Sequence, residues 1–414
     1  MVIATCPSHP ARTMIASPTQ YILEKKRMVP RLLGERIAQM ARWFPVVSVT
    51  GPRQSGKSTI VKSVFPDYQY VNLENPQTRK EALDDPVGFI NNRNEHLIID
   101  EVQYAPDLFS MIQVASDERS STGQYVLSGS QNFRLLKNIT QSLAGRVGLV
   151  ELLPFSFQEA RIAQTNLSAD DFMISGGYPR LFETHMPTDV FFSNYVSTYV
   201  ERDVADYLDV RNLTSFQKFL RLCALNSGNL MNYAKLAKDA DINAQTAKTW
   251  LSMLNSSYIT FQLAPYFSNE GKRLIKTPKM YFHDTGLLCY LLGITNRQQL
   301  LFSPHLGAIF ENLIVAETLK NHIDNGEEPK LFFYRDDSKI EVDLLDFTNA
   351  SAPMLIEIKS GQTYKDNFAR HLSTVGEFLG IPEQQRHVVL RIEQGFQAKG
   401  AVAHSAAEWL LRQT

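Results

Sequence analysis

Residues 45–64 set the first constraint on what this chain can fold into. Pro45-Val46-Val47-Ser48-Val49-Thr50 is short, β-branched and uncharged, which predicts a buried strand. Gly51-Pro52-Arg53-Gln54-Ser55-Gly56-Lys57-Ser58-Thr59 follows with the spacing G-x-x-x-x-G-K-[ST]. The run Ser58-Thr59-Ile60-Val61-Lys62-Ser63-Val64 then predicts the start of a helix. A strand, a glycine loop and a helix N-terminus in this order make an anion cradle, because free N–H groups and the positive end of the helix dipole face the loop. The motif implies a nucleoside triphosphate, with Gly51, Pro52, Arg53, Gln54, Ser55, Gly56, Lys57, Ser58 and Thr59 as its candidate contacts. Lys57 would neutralise charge on the β- and γ-phosphates. Arg53, inside the loop, is a further candidate for phosphate.

Four more runs predict strands, over 68–73, 96–100, 124–128 and 148–153, separated by helical or loop segments. Apolar strands alternating with helices predict an α/β fold with a parallel sheet covered on both faces. The run His96-Leu97-Ile98-Ile99-Asp100-Glu101 delivers two acids at its carboxyl end, where ligands of such sheets bind. Asp100 and the Ser58 hydroxyl are candidates to hold Mg²⁺, which prefers hard oxygens. Glu101 is placed to take a proton from an attacking water. The next strand ends Leu127-Ser128-Gly129-Ser130, and Ser130, ahead of Ser128, is the candidate contact to the γ-phosphate or the water.

Composition narrows the rest. A net charge of −1 gives no global basic field. The three cysteines, Cys6, Cys223 and Cys289, are scattered and make no C-x-x-C pair, which fits a reducing cytoplasm and supports neither a disulfide framework nor a zinc site. The longest apolar stretch, 285–294, is too short to span a bilayer and predicts a buried helix, so no membrane partner is expected. Residues 1–27, rich in Pro, Ser and Thr, read as a disordered leader without the blocks of a signal peptide.

The loop at 51–59, the Asp100-Glu101 strand, Leu127-Ser128-Gly129-Ser130, Leu143-Ala144-Gly145-Arg146 and Leu152-Leu153-Pro154-Phe155-Ser156 follow at short intervals. Gly176-Gly177-Tyr178-Pro179 and Tyr199-Val200-Glu201-Arg202-Asp203 come next. Over about residues 28–360 the chain resembles the AAA-type P-loop ATPases of a large bacterial and archaeal group. The resemblance implies ATP and Mg²⁺ as cofactors and ATP hydrolysis as the activity. It also implies an arginine completing the site, in cis or from a neighbouring copy, with Arg146 and Arg202 as candidates. A trans arginine would require an oligomer.

Residues 214–284 predict three helices, at 215–226, 233–240 and 244–256, then two strands flanking a polar tip at 268–273. That is the winged helix-turn-helix plan. Its third helix would expose Gln245, Lys248 and Thr249 to a major groove, and Lys272, Arg273 and Lys276 would hold phosphates, making double-stranded DNA a candidate partner. Winged helices also serve as protein–protein modules. Trp250 reads as core.

Four features close the chain: Glu311 in a helical run, a strand at 331–335, Asp343 in the strand Glu341-Val342-Asp343-Leu344-Leu345, and Glu357 with Lys359 on one face of a strand at 355–361. The set resembles the PD-(D/E)-x-K nuclease fold, with Val342 in place of the proline. Asp343 and Glu357 could share Mg²⁺, supported by Glu311, with Lys359 steadying developing charge. Residues 362–414 predict helix, strand and helix, with 387–391 as the last strand.

The expected partition is therefore 1–27 leader, 28–165 ATPase core, 166–213 helical linker, 214–295 winged helix and 296–414 nuclease-like α/β domain. The expected activity is ATP hydrolysis coupled to DNA-binding, nuclease-like C-terminal domains. The alternative is an ATP-controlled switch that recruits a protein partner on a silent nuclease-like scaffold.

Overall fold

The computed structural model describes residues 29–130, 142–200, 213–266 and 277–412. Helix α1 (Gly34–Trp43) leads into strand β1 (Val46–Thr50), the phosphate loop and α2 (Lys57–Val64). Strand β2 (Gln69–Asn72), α3 (Pro76–Asp84), α4 (Pro86–Asn91), β3 (Leu97–Asp100), α5 (Leu108–Arg119), β4 (Tyr125–Gly129) and β5 (Val147–Glu151) complete the first layer. All five strands are parallel, in the order β2-β3-β4-β1-β5. β1, β3 and β4 are buried at every position, as central strands covered on both faces must be. The register aligns Thr50 with Gly129 and Glu151, and Asp100 with Ser128, so the carboxyl ends converge on one edge.

Four short helices follow: α6 (Phe157–Ala163), α7 (Ala169–Ser175), α8 (Pro179–Thr184) and α9 (Thr188–Tyr195). Residues 196–200 continue as a π-helical turn. Arg202, in the Tyr-x-x-Arg-Asp segment, lies outside the described residues. Next come α10 (Leu213–Leu225), α11 (Tyr233–Asp239), α12 (Ala244–Ser256), β6 (Thr260–Pro265) and β7 (Lys279–Phe282). Asn232 and Asn243 cap α11 and α12 by accepting from Lys235 and Thr246 amides, so each helix starts at an asparagine. Trp250 is fully buried against Phe216 and Phe219. Lys272, Arg273 and Lys276, between β6 and β7, lie outside the described residues.

The last part holds α13 (Thr285–Leu291), α14 (Arg297–Phe302), α15 (Leu306–Asp324), β8 (Leu331–Arg335), β9 (Glu341–Asp346), β10 (Met354–Lys359), α16 (Ala369–Leu379), β11 (Arg386–Leu390), β12 (Phe396–Ala398), β13 (Ala401–Ser405) and α17 (Ala406–Leu411). Two expectations are corrected here. Residues 387–391 are not in the last strand: a hairpin of β12 and β13 follows, and β13 pairs parallel with β11. Residues 214–284 are not a self-contained unit either. The antiparallel pair β6–β7 joins the C-terminal sheet through β6–β8, giving the order β12-β13-β11-β10-β9-β8-β6-β7. One apolar cluster runs from Phe155 through Trp250 and Leu313 to Leu410, so these segments share a core.

Candidate nucleotide site and the carboxylate cluster

The phosphate loop leaves β1 at Gly51, where a side chain cannot fit: a Cβ there would stand 2.1 Å from the Leu152 carbonyl oxygen. Gly56 caps α2 at a φ of +92°, in the left-handed region that glycine occupies freely. The ammonium of Lys57 reaches back across the loop, donating to Gly51 O at 3.0 Å and Pro52 O at 2.7 Å. Ser55 Oγ and Gln54 Oε1 are buried in the loop with no protein partner, an unusual state for buried oxygens and one that suits a ligand.

Asp100 is buried at the carboxyl end of β3 and gathers three hydroxyls. Ser58 Oγ and Tyr70 Oη each donate to Oδ2 at 2.6 Å, and Ser128 Oγ donates to Oδ1 at 2.5 Å. The contact between Ser58 and Asp100 puts a hydroxyl and a carboxylate at the mouth of the loop, the hard donor pair Mg²⁺ prefers. Glu101, just past β3, adopts a left-handed φ of +55° and feels the charges of Lys57 and Arg53 in the loop. Gln103 Nε2 donates to it, and Ser130 Oγ donates to Oε2 at 3.3 Å. Burial raises the Glu101 carboxyl above its ordinary value, with the nearby charges of Lys57 and Arg53 acting the other way. Ser128 and Ser130 therefore hold one acid each.

Arg146 does not join this group. It precedes β5, and Val46 N donates to its carbonyl, so it lies at the amino edge of the sheet. Five strand residues separate it from the loop edge, roughly 16 Å. Its guanidinium is clamped on Asp117, at 2.6 and 2.9 Å. A role for Arg146 in this chain's own site is excluded by that distance.

Sequence reasoning missed Arg31. Its Nη1 donates to Ser55 O and its Nη2 to Leu153 O, both at 2.7 Å, while Nε meets Glu159 Oε1 at 2.9 Å. Glu159 is fully buried and forms a capping box with Ser156. Helix α15 packs on the same segment: Phe157 N donates to Glu317 Oε2 at 2.6 Å, and Lys320 donates to Phe155 O at 3.3 Å. The Gly176-Gly177 pair is explained by packing. Phe155 N donates to Gly177 O at 2.7 Å, Gly177 N donates to Asp284 Oδ2 at 2.7 Å, and a Cβ on either glycine would clash with those partners. Pro179 then lies beside Gly56.

The C-terminal residues Glu311, Asp343, Glu357 and Lys359 do converge, but with lysines among the acids. Lys359 Nζ lies 2.5 Å from Glu357 Oε1 and 3.4 Å from Asp343 Oδ2. Ile358 N donates to the same Asp343 oxygen at 2.8 Å. Lys279, unforeseen from the sequence, is buried between Glu311 at 3.1 Å and Glu341 at 2.8 Å. Tyr281 Oη donates to Glu311 at 2.7 Å. Burial, then the neighbouring Asp343, pushes Glu357 up to about 8. Among the described residues no group of three or more His, Cys, Asp or Glu side chains is arranged to hold a metal ion. Between Asp343 and Glu357, the two acids expected to share a metal, stands the ammonium of Lys359. No helix among the described residues is long and apolar enough to cross a membrane.

Comparison with known proteins fits this layout. A family profile described as an AAA domain matches residues 44–161. Two described as domains of unknown function, DUF8612 and DUF4143, match 166–298 and 306–407. Uncharacterized protein Rv2008c of Mycobacterium tuberculosis and uncharacterized protein Mb2031c of Mycobacterium bovis are each 33% identical over 315 residues, which is 75% of this chain and 69% of theirs. Uncharacterized protein MJ1544 of Methanocaldococcus jannaschii is 23% identical, covering 84% of this chain and 82% of its own. Among solved structures, the Walker-type ATPase of Pyrococcus abyssi matches with a TM-score of 0.43 and 14% identity, over 66% of this chain and 99% of its own. At the identity and coverage of the mycobacterial relatives the chain belongs to their family, and its AAA domain makes it a P-loop ATPase.

Proposed function

We propose that this ATPase hydrolyses ATP with Mg²⁺ and couples its nucleotide state to a C-terminal half that engages duplex DNA. Ser58 and Asp100 would hold the Mg²⁺, which neutralises phosphate charge when bound. Lys57 would exchange its two loop carbonyls for phosphate oxygens. Glu101, oriented by Gln103 and Ser130, would accept the proton of the attacking water at its carboxylate. We read α10 to α12 with β6 and β7 as a winged helix, with Gln245, Lys248 and Thr249 exposed on α12 for a groove.

One observation carries the coupling. Helix α15 bears Glu311 near one end and Lys320 and Asp324 at the other, about 20 Å along a single rigid element. Lys320 touches the backbone at Phe155, and Asp324 shares its burial with Glu159 and Arg31, which grips the phosphate loop. A change in the loop therefore has a packed route to the C-terminal sheet.

The test is ATP turnover by purified protein with and without duplex DNA, together with DNA binding across a salt series. DNA-stimulated turnover and steeply salt-sensitive binding support this reading. Turnover and binding indifferent to DNA overturn it.

A second reading is favoured by the ion pairs of Lys279 and Lys359. With its acids compensated, the nuclease-like domain serves as a scaffold, and the chain is an ATP-controlled switch for a protein partner. Cleavage of supercoiled DNA with Mg²⁺ or Mn²⁺, lost in Asp343→Ala, overturns the scaffold. Absence of cleavage together with DNA-indifferent turnover supports it.

A further inference from the structure

We infer that Tyr258 is a positioning residue for the nucleotide site, holding the entry to the phosphate loop from the far side of the chain. Its hydroxyl donates to Thr50 Oγ1 at 2.7 Å, across 208 residues of sequence, and the bond is buried. Thr50 is the last residue of β1, immediately before Gly51. Its own hydroxyl donates onward to Val150 O at 3.5 Å, and its carbonyl accepts from Leu152 N at 2.7 Å. Leu152 O is also the atom that leaves no room for a side chain at Gly51. The bond from Tyr258 thus lands where the backbone entering the loop has no slack.

The backbone at Tyr258 gives an independent reason to read this contact as more than packing. Its φ is +57°, the left-handed region, which a bulky residue adopts only under strain. The residue ends α12: Tyr258 N donates to Asn255 O at 3.1 Å and Ile259 N donates to Leu254 O at 2.9 Å. A glycine would make that turn without strain. What the tyrosine adds is a phenol on Thr50. Burial raises the phenol well above its ordinary value, so it stays a proton donor at any working pH. A loop whose entry is held needs less ordering when phosphate arrives, so the bond favours nucleotide binding.

The experiment uses the full chain with Tyr258→Phe, Thr50→Val and the double variant. It reads the Kd of a fluorescent ATP analogue, KM and kcat for ATP, and the unfolding midpoint. Each single change is expected to weaken analogue binding and raise KM roughly three- to tenfold, the worth of one neutral hydrogen bond, with kcat nearly unchanged. The double variant is expected to be no weaker than either single one, since both remove the same bond. Unchanged Kd and KM with only a lower unfolding midpoint would reduce the bond to packing and overturn the proposal. So would losses that multiply in the double variant. If Tyr258→Phe fails to fold, Thr50→Val, which deletes the same bond from the other side together with the longer contact to Val150 O, decides by the same readouts. No DNA is present in the assay, so the outcome is independent of the DNA reading above.

Discussion

The guanidinium of Arg31 joins the Ser55 carbonyl, 24 residues away in the loop, to the buried carboxylate of Glu159. One side chain from the segment ahead of α1 thereby fixes both the phosphate loop and the chain leaving β5. Its third bond, to Leu153 O, uses the planar fork of arginine, which a lysine cannot reproduce.

Replacing Arg31 by Ala should therefore do two things. Glu159 would be left as an unpaired buried charge, a loss of about 3–5 kcal/mol in denaturant unfolding. ATP binding should weaken as the loop is released. Arg31→Lys should recover part of the stability but little of the affinity, and a lysine variant with normal affinity would show that the fork geometry is irrelevant.

Glu101→Gln should bind ATP close to normally and lose roughly 10²- to 10⁴-fold in kcat. In the unchanged protein the base must be ionised to work. Because burial raises its carboxyl, kcat should fall with decreasing pH at a point above the ordinary carboxylate range. A rate profile flat down to that ordinary range would remove Glu101 from the role.

What the sequence made legible was local. The loop at 51–59, the five core strands and the adjacent acids Asp100 and Glu101 are contiguous patterns, and each is found as an element in the structure. Arg31, Tyr70, Tyr258 and Lys279 are contributions from distant segments, and nothing in their neighbours distinguishes them from ordinary surface or strand residues. Arg146 shows a different limit. A motif gives a position along the chain but not which end of a strand faces the ligand, and Arg146 precedes its strand. The joining of the hairpin at 260–282 to the C-terminal sheet was not legible because it turns on two residue pairs, Ala264 with Phe332 and Pro265 with Phe333.

Lys279 invites a direct test of how the acid cluster is held. With its ammonium buried between Glu311 and Glu341, Lys279→Met should destabilise the chain by about 3–5 kcal/mol, most of it the cost of the acids left behind. Adding Glu311→Gln should return a substantial part, measurable as coupling in a double-variant cycle of unfolding free energies. Additive losses would mean that the two side chains do not stabilise one another. ATP turnover by the fully folded variant should stay normal, because Lys279 has no contact with the phosphate loop.

His322 gives the clearest pH signature. Its imidazole is held between Glu327 at 2.6 Å and Asp346 at 2.7 Å, with Arg412 4.0 Å from the same Asp346. Burial alone would lower it, but its hydrogen bonds to the Asp346 and Glu327 carboxylates outweigh burial and hold it above its ordinary value. The folded state therefore binds this proton more tightly than the unfolded chain, whose histidine titrates at about 6.5. The stabilisation is fully present below that value and is lost as pH rises through the folded one. Glu151, pushed up by burial to about 7, and Glu357, at about 8, lose stability in the same direction, so the total slope cannot be assigned to one group. The comparison with His322→Gln isolates it. The gap in unfolding midpoint between the two proteins should be largest in weak acid and should close as the medium turns alkaline. A gap that stays constant across that range would mean that the imidazole is held neutral, by burial, in spite of its two acids.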